Sequence, residues 1–183
     1  YTGGFKQNYY LYRNHQQQWI PTVWDLNQSF GSFPMASGGT PLTTSQMQSM
    51  SPVIHSTETA WPLIYKLLGN SMYMHMYIAH MRTMNNENFV NNGYKSIVNT
   101  YRTLIDSSIK TDANALYTYS QYTSNLCSSV TGGGPGGGTV GVYELMDKRA
   151  TNLAAANELK TTPPTISNVR ITPSKSIYDT AIV

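Results

Sequence analysis

The feature that most limits how this chain can fold is the stretch of residues 56–130, which is poor in charge and rich in Met and Tyr. It opens as Ser56-Thr-Glu-Thr-Ala-Trp-Pro-Leu-Ile-Tyr65 and runs on through Met72-Tyr-Met-His-Met-Tyr-Ile-Ala-His-Met81. Leu63, Ile64, Leu67 and Leu68 recur at helical spacing, with Ser56 or Thr57 as N-cap, Glu58 in the first turn and Gly69-Asn70 as the stop or kink. A second helix follows over 71–84 and ends at Asn85-Asn86. Over 87–107, Val90, Tyr94, Ile97, Val98, Tyr101, Leu104 and Ile105 return every three or four residues, which predicts an amphipathic helix with these side chains inward and Lys95 and Arg102 on the solvent side. Asp112 is expected to cap a further helix to Cys127, with Leu116, Tyr119, Thr123 and Leu126 inward and the thiol buried.

The flanks read differently. Residues 1–55 hold short strand-like runs at 9–12 and 19–24 between Gly- and Pro-rich breaks, and a short helix over 43–50. This segment is too aromatic for disorder, so it is expected to lie as an extended arm against something else. Thr131-Gly-Gly-Gly-Pro-Gly-Gly-Gly-Thr139 marks a hinge over 131–141. An outer helix is predicted over 142–160, then Pro163-Pro164 and a β-prone tail over 161–183. The fold class is mainly α, a helical bundle over 56–130 with extended N- and C-terminal arms containing a few short strands.

Composition narrows function without naming it. Only 11% of the 183 residues are charged, against roughly 25% in an average soluble protein. Weak charge repulsion favours association. The net charge of +3 comes from 12 basic and 9 acidic residues, with no run of Lys and Arg to match a polyanion. The single cysteine excludes an intrachain disulfide and a cysteine-based zinc site. No apolar run reaches membrane-span length, and a chain starting at Tyr1 without a signal pattern reads as a processed form.

The glycine segment lacks the Lys-Ser/Thr ending of a phosphate-binding loop. His75 and His80 are five apart, not the four of a helical zinc pair. No nucleophile with a neighbouring base appears, and Asp25, Glu58, Glu87, Asp106 and Asp112 read as helix-terminal or surface charges. Met72, Met76, His80 and Met84 form a row at four-residue steps whose soft sulfurs and imidazole suit Cu(I). Core packing by flexible Met is the commoner use, so no metal and no cofactor are expected.

These readings lead to a structural, non-enzymatic subunit that self-assembles into a viral coat or helical filament, in a virion or outside the cell. Its partners are other copies of itself and other structural proteins. Tyr9, Tyr10, Tyr12, Trp19, Trp24, Ile166, Val169, Ile171, Ile182 and Val183 are the candidate subunit contacts. Lys66, Lys95, Arg102, Lys148 and Arg149 are the candidate contacts to packaged nucleic acid. The alternative is an extracellular or surface module whose Tyr- and Trp-rich face binds a glycan or a protein.

Overall fold

A computed structural model describes residues 10–22, 24, 26, 29–35, 40–132 and 137–160. The fold is mainly α, as the periodicity predicts, with six α-helices and two small antiparallel ladders among the described residues. Strands β1 (Tyr10–Arg13) and β2 (Trp19–Thr22) form a hairpin in which Tyr12 faces Ile20. Asn14 closes its loop, where Gln18 N–H donates to Asn14 Oδ1 at 2.9 Å. Every residue of both strands is exposed.

Helix α1 (Thr44–Ser49) starts at a reciprocal cap: Gln46 N–H donates to the Thr43 hydroxyl, and Thr43 N–H donates to Gln46 Oε1 at 2.8 Å. Residues 51–61 are turns instead of the helix start expected at Ser56. Glu58 turns back to His55, whose Nδ1 lies 2.9 Å from Glu58 Oε1, and the His55 ring stacks on Trp61 at 4.0 Å. Helix α2 (Pro62–Leu68) therefore begins at Pro62, where the missing N–H costs nothing. The Asn70 side chain then caps helix α3 (Ser71–Met84) by accepting from Met72 N–H and Tyr73 N–H.

Two departures from the predicted helices follow. Asn85–Val90 continues α3 as a π-helical segment, and the left-handed Asn92 (φ 61°) resets the axis before α4 (Gly93–Thr111). The long helix read from Glu87 is thus broken. Of its supposed core face, Tyr94 is buried and Val98 half-buried, but Ile97, Tyr101, Leu104 and Ile105 are exposed, Leu104 at 75%. Beyond α4, Asp112 caps only a turn, through Asn114 N–H at 2.8 Å. Thr118 and Gln121 make the actual capping box of a short α5 (Tyr119–Ser124). Leu116 is 81% exposed, and Cys127 is exposed instead of buried because α5 stops before reaching it.

The glycine segment is tied at both ends. Val130–Thr131 (β3) pairs with Gly138–Thr139 (β4), and Gly132 N–H donates to Gly137 O at 2.9 Å. Helix α6 (Val142–Ala155) is not peripheral, as the sequence suggests. It buries Leu145 and Ala150, packs on α1 and on the π segment, and leads into a 3-10 turn (Asn157–Leu159) with Leu159 buried. Trp61, Ile78, Tyr94 and Val140 complete the small buried core. No described helix is long and apolar enough to cross a membrane.

Candidate functional site

The residues that come together do so where α4 meets α6. Helix α5 delivers its end to the start of α6: Val142 N–H donates to Asn125 O at 3.0 Å and Tyr143 N–H to Leu126 O at 2.7 Å. Free amides at one helix start thus meet free carbonyls at another helix end. Asn125 Nδ2 locks this corner by donating to Thr139 O at 3.0 Å. An open groove of about 590 Å³ results, lined by Gln48, Lys95, Cys127, Tyr143, Glu144, Asp147 and Lys148.

In its lining Asp147 is held from two sides. The Tyr94 hydroxyl donates to Oδ1 at 2.6 Å, and Lys95 Nζ donates to Oδ2 at 2.7 Å. Lys95 also lies 5.1 Å from the centre of the Tyr143 ring, and Tyr143 meets Tyr94 edge-on at 5.8 Å. The Tyr143 hydroxyl donates back to Asn99 Oδ1 at 3.2 Å. Burial pushes the Asp147 carboxyl upward, but the bonds from Lys95 and Tyr94 outweigh it and hold the acid below its ordinary range. Burial, then the bond to Asp147, raises the Tyr94 phenol well above its ordinary value, so it remains a donor at any physiological pH.

This arrangement clamps α4 to α6. Both Asp147 oxygens are engaged, and the lowered pKa favours the ionised form. Among the described residues no three His, Cys, Asp or Glu side chains gather into a metal site. What the groove offers a ligand is an exposed thiol at Cys127, an exposed ammonium at Lys148 and the half-buried Lys95.

The candidate basic residues are only partly brought together. Lys95 and Lys148 share the groove. Lys66 is exposed on α2 beside the Tyr65 ring, and Arg102 sits on α4 at 5.5 Å from the Tyr122 ring. Arg149 is occupied elsewhere: its guanidinium donates to Met50 O and Gln48 O at the end of α1, where a cation suits the helix dipole. Burial lowers its pKa from the ordinary arginine range, with only partial compensation from Tyr77.

Tyr10, Tyr12, Trp19 and Trp24 are exposed around the hairpin, Tyr10 edge-on to Trp24 and Trp19 beneath the Arg13 guanidinium. Tyr9, Ile166, Val169, Ile171, Ile182 and Val183 lie outside the described residues. The Met72, Met76, His80, Met84 row is on the open face of α3. Sequence reasoning missed the Asp147 clamp. Tyr143 and Asp147 stand four apart on one helix face, a visible signal, but their partners on α4 lie about fifty residues away.

Comparison with known proteins adds what the geometry does not. A family model described as CotH kinase protein matches residues 2–131. No curated protein and no solved structure matches the chain. The family match overturns the viral coat or filament, the virion location, the surface-binding alternative and the non-enzymatic reading. Those readings rested on low charge and aromatic ends. Such features report how a surface is hydrated and covered, and a kinase-family protein carries them equally well.

Proposed function

The chain belongs to the CotH kinase family, and from that premise we propose that it takes part in phosphoryl transfer from a nucleoside triphosphate to a hydroxyl acceptor. The family match over residues 2–131 is the observation that carries this reading. In such a reaction the bond from the γ-phosphorus to its bridging oxygen breaks. A bond to the acceptor oxygen forms, the acceptor proton is released, and a nucleoside diphosphate leaves. The protein contributes positioning and electrostatic stabilisation.

Carboxylates and amide oxygens are the side chains that this chemistry calls on, to hold magnesium and to orient the acceptor. The described residues do not assemble a magnesium site, so no step is assigned to the metal. The carboxylates of the matched span are largely engaged. Glu58 faces His55, Asp106 accepts from Tyr119 at 2.8 Å, and Asp112 caps its own turn. Glu87 sits exposed in the π segment. Asp25 and Asn27 lie outside the described residues; Trp24-Asp25-Leu26-Asn27 offers a carboxylate and an amide oxygen two residues apart in the sequence, and Asp25 is the carboxylate we choose to test. A location outside the cell or at a surface is in keeping with a family associated with spore coats.

The test is transfer from γ-labelled ATP with magnesium, using the chain itself and dephosphorylated casein as acceptors. Label should appear in protein for the parent chain. It should fall by about a hundredfold or more in Asp25→Asn while Asp106→Asn retains it. No transfer by the parent overturns the phosphoryl-transfer reading. Equal transfer by Asp25→Asn overturns the choice of carboxylate.

A further inference from the structure

Helix α3 turns its thioethers outward. Met72, Met76 and Met84 are 57%, 52% and 51% exposed, and His80 is exposed between the last two. The core side of α3 is supplied by other residues: buried Ile78, and half-buried Met74, Tyr77 and Met81. Tyr77 is anchored there by its hydroxyl, which donates to Pro52 O at 2.7 Å. Packing into this chain's core, the ordinary reason for a Met-rich helix, therefore does not account for the row.

We propose that this face binds Cu(I), with the His80 imidazole as the central ligand and the Met76 and Met84 sulfurs on either side. Residues four apart on a helix have Cβ atoms about 6 Å from one another and lie on one face. His80 is four from each of these methionines, so one imidazole has a thioether on both sides. An unbranched Met side chain with three rotatable bonds can swing its sulfur toward a shared ion. Met72 extends the row by another step. Thioether and imidazole together select a soft cation. No carboxylate stands in the row to favour calcium or magnesium. Arg82, the nearby cation of α3, is drawn to the other side, donating from Nε to Leu159 O at 2.9 Å. The inference is independent of phosphoryl transfer.

The exposed Cys127 thiol is itself a soft ligand, so the experiment uses the full chain with Cys127→Ser as parent. Cu(I) held by bicinchoninate under anaerobic, reducing conditions is titrated with protein, and loss of the chelator's colour reports transfer. The parent should take up a single Cu(I). Loss of an outer-shell partner alone weakens a metal site by roughly ten- to a hundredfold, so Met76→Leu or His80→Leu should weaken binding at least that far. Met74→Leu, on the inner side, should not. Far-UV circular dichroism should be unchanged in both outward-facing variants. X-ray absorption of the loaded parent should show sulfur and nitrogen ligands together. A parent that leaves Cu(I) with the chelator, equal binding by His80→Leu, or a spectrum without sulfur overturns the proposal.

Discussion

Gly31 is a position where one methyl group decides whether two parts of the chain fit. Its φ is +79°, and a Cβ built there would lie 2.8 Å from Val140 Cγ1, 3.1 Å from Leu145 Cδ2 and 3.1 Å from Met47 Sδ. Gly31→Ala meets both a left-handed backbone and an overfilled contact, so it should lower stability by about 2–4 kcal/mol in urea unfolding. Asn85 is a second such position. It is 3% exposed, and its Nδ2 donates to Ala150 O at 3.1 Å while Oδ1 has no partner. Asn85→Asp places an unpaired charge there and removes the donor, which should cost about 3 kcal/mol or more at neutral pH. Burial raises the pKa of such an acid, so the deficit should shrink as pH falls and the protonated carboxyl donates again. Stability that fails to recover on acidification would contradict this. Neither role was legible in the sequence. Gly31 sits in a Gly-, Ser- and Pro-rich run that reads as arm, and Asn85-Asn86 reads as a helix stop.

The elements divide by whether their cause is local. The start of α1 was legible because Thr43 and Gln46 satisfy one another within a turn, and α3 ends close to its predicted boundary. The split between the π segment and α4 was not, since Val90, Tyr94, Ile97 and Val98 fit one continuous face whichever way that face turns. Period fixes which residues share a side of a helix, not whether anything covers that side. What orients α4 is the clamp from Tyr94 and Lys95 to Asp147. Asp147 is held below its ordinary pKa, so its contribution is fully present above the unfolded value of about 4 and is lost as pH falls through the lower folded value. Asp147→Asn should therefore destabilise the chain at pH 7 by a modest amount, because the pair is partly exposed. The gap between parent and variant should narrow as pH falls below about 4. A gap that widens in acid would show that Asp147 is not held as an anion.

At the scale of the molecule, the mainly α character was legible from composition and spacing, and the family was not. Phosphoryl transfer draws on single carboxylates and amides spread along a chain. Asp25 and Asn27, the residues proposed for it, stand beside a predicted strand with no local spacing that sets them apart. The span shared with the family ends at residue 131, yet Leu145, Ala150 and Leu159 in the buried core come from beyond it. Helix α6 lies against α1 and the π segment, and the 3-10 turn that carries Leu159 lies against α3, so the family span leans on both for its interior. A chain stopped after Thr131 should lose cooperative thermal unfolding, as seen in calorimetry. A sharp transition at the parent's temperature would mean that the first part folds alone.

Cys127, exposed on the groove wall that Lys95 and Asp147 share, also gives the molecule one chemically addressable point. A fluorophore joined there through a maleimide would sit a few ångströms from the junction of two helices. Its emission would report in real time whether a nucleotide or an acceptor makes that junction open.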